Sequence, residues 1–235
     1  MIIHFFRERT KPRIDFYQLI DGYFDNLENC VIKSNDDEVE IAINMNNFDF
    51  TYKVYITKRS RVSSLYRLNR DYTNLHFLCD VPSVLPQYIS RLIFKQINEI
   101  CEKFELAIYC DLFDNIHTFD MFELITALGK DRIKYLQENE NIVTYKVSMP
   151  ILNEMCCYQS MINELPSLVK GDVIVKKYNI LREKRTGIIC NSISWKVGAP
   201  MLFPPHLHYV QVEEEENLVA LVPIEVFYKY VEKLM

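Results

Sequence analysis

The chain has 235 residues, 49% of them hydrophobic and 25% charged, with a formal net charge of −5. That is enough apolar material for one folded core or two small ones, and no stretch pairs low hydrophobicity with the high net charge of a disordered tail. The acidic balance argues against general affinity for nucleic acid or anionic membranes, which rests on excess Lys and Arg, and no uninterrupted apolar run approaches the roughly 20 residues of a membrane span.

A first strand is read at Ile2 to Phe6, with no signal peptide ahead of it, since the start lacks a basic region and a long apolar run. From Ile14 to Leu27, Phe16, Leu19, Ile20, Tyr23, Phe24 and Leu27 fall on one side of an amphipathic helix. The period then changes. Cys30 to Lys33, Val39 to Asn44 and Phe48 to Thr57 read as strands, the last alternating Phe48, Phe50, Tyr52, Val54 and Ile56 with more polar residues. Turn chemistry at residues 35–37 and 44–47 makes this an antiparallel meander. Arg61 to Asn74 is polar, with a short helix expected around Leu65.

Next comes the clearest pattern in the chain. Leu75 to Asp80 is an apolar strand leading through Val81-Pro82-Ser83 into a helix that runs to about Phe104, and Leu106 to Asp111 returns as a second strand. In the helix, Leu85, Ile89, Leu92, Ile93, Ile97, Ile100, Cys101 and Phe104 share one face. The spacing predicts a parallel β-α-β crossover with its two strands side by side, each ending on Cys-Asp at one sheet edge. A helix is expected from Phe119, capped by Thr118 and ended by Gly129, then a short one capped by Asp131 and a strand at Ile142 to Val147.

Ser148-Met149-Pro150 opens a helix with Ile151, Leu152, Met155, Cys156, Ile162 and Leu165 on one face. Hairpins follow at Val173 to Leu181 with Ile188 to Trp195, and at Tyr209 to Val212 with Leu218 to Val222. A closing helix places Ile224, Phe227, Tyr228, Val231 and Leu234 inward. The expected class is therefore α+β: a mixed sheet of meander and crossover strands with packed helices over residues 1–147, then a hairpin-rich lobe closed by a helix over residues 148–235. The two lobes form separate domains or one continuous body.

Three groups of residues carry chemistry by type and spacing. Asp80, Asp111, Asp114 and His117 fall at the carboxyl edge of the crossover strands, where open sheets collect ligands; clustered carboxylates hold a divalent cation, and an imidazole moves protons in hydrolysis or phosphoryl transfer. The same aspartates serve equally as turn and cap residues. His206 and His208 lie two apart, on one side of a strand, as two of the ligands a zinc ion needs, with further ligands to come from positions such as the glutamates at 213–216. Between Lys53 and Arg70, Arg61, Arg67 and Arg70 occur with Tyr66 and other tyrosines and no acid among the cations, a pattern that suits single-stranded nucleic acid and equally a solvated edge. Seven cysteines cannot all pair within the chain, and they sit in apolar elements; we read them as reduced, structural thiols in the cytoplasm.

With five glycines the chain holds no phosphate-cradling loop, and it has no Gly-x-Ser-x-Gly or His-Glu-x-x-His motif. No cofactor is expected. The leading expectation is a non-catalytic protein that binds another protein, of the inhibitor or immunity type, with 13% aromatic residues available to interfaces as well as cores. The alternatives are a divalent-metal-dependent hydrolase or phosphoryl-transfer enzyme using the Asp80 group, and nucleic-acid binding through the basic segment.

Overall fold

The computed structural model describes residues 1–59, 68–142, 147–169, 171–214 and 217–231. The class is α+β, and the chain divides into two compact units, Met1–Val143 and Thr144–Met235, each taken here by itself. The expected helix around Leu65 and most of the expected strand at Ile142 to Val147 lie outside the described residues.

In the first unit, β1 (Ile2–Glu8), β2 (Cys30–Ser34), β3 (Glu38–Met45), β4 (Phe50–Thr57), β5 (Tyr72–Asp80) and β6 (Ala107–Tyr109) form one sheet in the order β2-β3-β4-β5-β1-β6. The meander β2-β3-β4 is antiparallel, as its alternation requires. On one face, Ile41, Ile43, Tyr52, Val54, Phe77, Cys79, Ile3, Phe5 and Ile108 are all buried. Helix α2 (Gln87–Phe104) covers that face with Ile89, Ile93, Phe94, Ile97, Ile100 and Cys101 inward, and the Tyr23 and Tyr52 hydroxyls donate to the Gln96 carbonyl and side chain.

The crossover differs from its expected form in one respect. β5 and β6 lie in one sheet and run in the same direction, but they are not neighbours: β1 is inserted between them and pairs antiparallel with both. A strand contributed from before the meander takes the position between them. Both of its edges are satisfied there, and its four consecutive buried residues Ile3 to Phe6 need cover on two faces. A bulge falls between Phe5 and Phe6, where β5 accommodates Leu75 and His76, the latter at φ 54 with Asn74 Oδ1 accepting from its N–H at 2.8 Å.

Helix boundaries were displaced from their expected places for identifiable reasons. Residues 81–86 are not helical, because Val81 and Leu85 each precede a proline and are pushed out of the α region, and α2 starts only after Pro86. The expected helix from Ile14 to Leu27 is a single α-turn, α1 (Phe16–Leu19), running into a π-helical turn at Ile20–Phe24. The wider turn sets Leu19 and Phe24, five apart, both into the core. Helix α3 (Met121–Glu138) is capped by Asp120 rather than Thr118, since the Asp120 carboxylate accepts from both the Phe122 and Glu123 N–H groups, at 2.8 and 2.9 Å. It continues through Gly129 to Glu138, with Leu124, Ala127 and Leu128 buried in the turns before that residue, so Asp131 caps nothing and lies 3.3 Å from the Met1 nitrogen.

In the second unit, α4 (Met149–Ser160) and α5 (Leu165–Leu168) precede a sheet of β7 (Asn179–Arg182), β8 (Ile189–Lys196), β9 (Tyr209–Glu214) and β10 (Asn217–Pro223), in the order β10-β9-β8-β7. Both expected hairpins are present, though the first strand starts at Asn179 and not at Val173. A feature not legible in the spacing is that β8 and β9 pair in parallel, joined by residues 197–208. Helix α6 (Ile224–Val231) closes the unit with Phe227 against Trp195 and Phe203, at centroid distances of 5.1 and 5.2 Å. Tyr228, expected inward, is 45% exposed, because it falls one position past the buried stripe. No described helix is long and apolar enough to cross a membrane.

Candidate functional site

The inserted β1 decides where the predicted acids go. Ile2 pairs with Asp80 on one side, and His4 pairs with Tyr109 on the other; Asp111 follows two residues past Tyr109, in the turn after β6. Asp80, at the end of β5, and Asp111, just past β6, thus go with strands on opposite sides of β1, which stand two strand spacings or roughly 10 Å apart across the sheet. Both are exposed, and Asp80 has Lys53 as its partner on β4. Asp111 acts instead on its near neighbours: burial pulls the His4 imidazole below its ordinary pKa, with the Asp111 charge opposing that shift, and burial together with Asp111 raises Tyr109.

Asp114 and His117 are brought together. After β6 the chain turns through a Phe113 N–H to Cys110 carbonyl bond of 2.9 Å and folds back, so that His117 forms a one-residue antiparallel bridge with Ile108. Ile116 anchors this loop in a small buried cluster with Phe6 and Ala107. Sequence dictates the return: a single apolar residue between Asn115 and His117 is what the cluster can accept. Asp120 then starts α3, and the loop and the first three turns of α3 enclose an open depression of about 390 Å³.

The walls of the depression combine apolar and charged groups. Leu112, Phe113 and Phe122 supply the apolar part, and Asp114, Glu123 and Lys130 the charges. The Phe113 and His117 rings lie 4.4 Å apart at 48°. His117 Nδ1 donates to the Thr118 carbonyl at 2.6 Å, while Nε2, shielded from solvent, lies 3.0 Å from Glu123 Oε2 outside hydrogen-bonding alignment. Nδ1 is thereby held by the chain itself, while Nε2 faces the Glu123 carboxylate without a hydrogen bond. Phe122 is 78% exposed at the mouth. Its exposure follows from its place in the first turn of α3, on the side away from Leu124 and Ala127. The sequence offered no signal for it beyond an apolar residue beside a cap.

Two other depressions are less suited to a ligand. In one of about 790 Å³, two of the three lining cations are already engaged: Arg7 donates to the Phe104 carbonyl at 2.6 Å and Lys103 to the Gly22 carbonyl at 2.8 Å. Another of about 310 Å³ lies between Tyr72, Cys101 and Phe119.

His206 and His208 do not form the expected same-side pair. His206 sits at φ 57 in a turn ahead of β9, and its Nε2 is 2.7 Å from Glu154 Oε2 on α4. His208 is turned to β8, where its Nδ1 lies 2.7 Å from Asn191 Oδ1. The organising group is Asn191, 3% exposed, which sequence reading passed over: its Oδ1 accepts from the His208 N–H and its Nδ2 donates to the His206 carbonyl, each at 2.8 Å. Those two bonds fix the amide orientation; His208 Nδ1 faces both Asn191 Oδ1, at 2.7 Å, and the Asn191 backbone N–H, at 3.2 Å, two partners that call for opposite ring tautomers. Among the described residues no group of three or more His, Cys, Asp or Glu side chains converges as metal ligands would.

Of the basic segment, Arg61, Tyr66 and Arg67 lie outside the described residues, Arg70 is exposed, and Lys53 is paired with Glu40 at 3.0 Å. The seven cysteines are free thiols. Burial pushes Cys101 up to about 12 and Cys156 up to about 11, so these two stay protonated and inert as nucleophiles near neutral pH. No protein-family model, curated protein or solved structure matches this chain.

Proposed function

We propose that this chain is a non-catalytic cytoplasmic protein that binds another protein, in the manner of an inhibitor or immunity protein that masks an effector. The observation that carries the reading is Phe122, 78% exposed at the mouth of a depression walled by Leu112 and Phe113. A rigid aromatic ring held out beside an apolar recess, with charged groups around it, is the composition of an interface anchor and its rim. The first turn of α3 and the Ile116 anchor hold this surface in place before any partner arrives, which lowers the ordering cost of binding.

A photo-crosslinking residue, p-benzoylphenylalanine, placed at position 122 tests the reading in the native host, with position 133, also exposed on α3, as the control. One discrete protein adduct is expected at 122 and none at 133. Added wild-type protein should compete it away, while the Phe122→Glu variant should compete about thirtyfold less well, the loss of a strong interface anchor. Equal adducts at both positions, or equal competition by Phe122→Glu, would refute it.

A second reading, acid–base chemistry, is favoured by the shared placement of His117 and Asp114 in the same depression. It requires turnover that His117→Gln abolishes while the crosslink at 122 yields no protein adduct.

A further inference from the structure

Building on the proposed binding role, we infer that the depression between the loop after β6 and helix α3 takes an arginine side chain presented by the partner protein. From residue 111 to residue 129 the chain carries Asp111, Asp114, Asp120 and Glu123 and no Lys or Arg at all. Asp120 is committed to capping α3. Asp114 and Glu123 line the depression, Asp114 exposed and Glu123 with its side chain 55% exposed even while facing His117. The exposed Phe122 ring and the Phe113 ring line the same depression.

The combination selects a group that is at once flat and cationic. A guanidinium stacks on an aromatic face while its edge forks onto a carboxylate, and it gives up its hydration more readily than an ammonium does. An anionic group would meet Asp114 and Glu123. A purely apolar side chain would cover the rings but leave both carboxylates at the rim unanswered. Lys130 also lines the depression, seven residues beyond Glu123 and so roughly 10 Å further along the helix axis. It bounds the cationic site at one end and leaves the Phe122 end free. The chain's net charge of −5 brings a basic partner surface toward it over a longer range.

The test uses the ¹⁵N-labelled full chain titrated with the blocked tripeptide Gly-Arg-Gly and its lysine and citrulline counterparts, followed by amide shifts. The arginine peptide is expected to move amides of residues 112–130, with the lysine peptide about two- to fivefold weaker for want of stacking and the neutral citrulline peptide weaker still. Asp114→Asn, at an exposed position, should weaken the arginine peptide by about two- to fivefold, and Lys130→Glu should tighten it. Citrulline binding as well as arginine, or an arginine peptide that leaves residues 112–130 unmoved, would overturn the assignment. A specific crosslink at position 122 alongside such a result would mean that a partner docks here by other chemistry; absence of that crosslink would take the binding role down with it.

Discussion

Phe77→Ala is expected to destabilise the first unit by about 3–5 kcal/mol, the range for removing a buried aromatic ring and leaving a cavity. Phe77 is fully buried, and its ring stacks on Phe5 across the β1–β5 pair at 4.2 Å and 24° while Phe24 meets it edge-on at 6.4 Å. Three elements distant in sequence, β1, β5 and the π-turn after α1, therefore share this one ring. The loss is comparable to the whole stability of a marginal domain. Urea denaturation followed by far-ultraviolet circular dichroism should show it, against a change within about 0.5 kcal/mol for Val31→Ala on the exposed edge strand β2. A loss below about 1 kcal/mol for Phe77→Ala would place the core elsewhere.

In the second unit the corresponding site is polar. Asn191→Leu keeps the volume but leaves the His206 carbonyl and the His208 N–H without the partners they have at 2.8 Å. A fully buried backbone group left unpaired costs about 1–3 kcal/mol; these two are half-buried, so a total of roughly 2–4 kcal/mol is expected. The effect is compounded at His206, whose positive φ of 57 is a conformation costing about 1–2 kcal/mol that the Asn191 bond helps to hold. The chain has one tryptophan, and Trp195 lies in this unit with its Nε1–H donating to the Ala199 carbonyl at 2.9 Å. Its fluorescence therefore reports unfolding here alone. The Asn191→Leu midpoint should fall well below that of the wild type by this probe; an unchanged midpoint would mean the amide does not clamp the turn.

These two residues also mark what local pattern discloses and what it does not. The apolar stripe of α2, the alternation in β4 and the turns of both hairpins are properties of neighbouring residues, so they could be read directly. Phe77 was legible as part of an apolar strand. The place of β1 was not, because its pairing with β5 and β6 joins residues some seventy to a hundred positions apart, and the residues of Ile2 to Phe6 are equally suited to an edge or a centre. The same limit hid the parallel β8–β9 pairing. Where two adjacent residues compete for one role, as Thr118 and Asp120 do for the cap of α3, only the hydrogen-bond geometry decides. In the site, Asp114 and His117 were identifiable by type and their nearness in sequence. Phe122 and Lys130 entered through the helix that follows, and Asn191, a lone amide in an alternating strand, carried no signal at all.

Placement of the N-terminal strand governs the functional reading, since it holds Asp80 and Asp111 apart and leaves the loop after β6 as the site. Backbone nuclear Overhauser contacts of His4 settle it. Contacts from His4 to both Leu78 and Tyr109 are expected from the observed register. Direct backbone contacts between Leu78 and Tyr109 would instead make β5 and β6 neighbours, set the two aspartates side by side, and return the protein to metal-dependent chemistry.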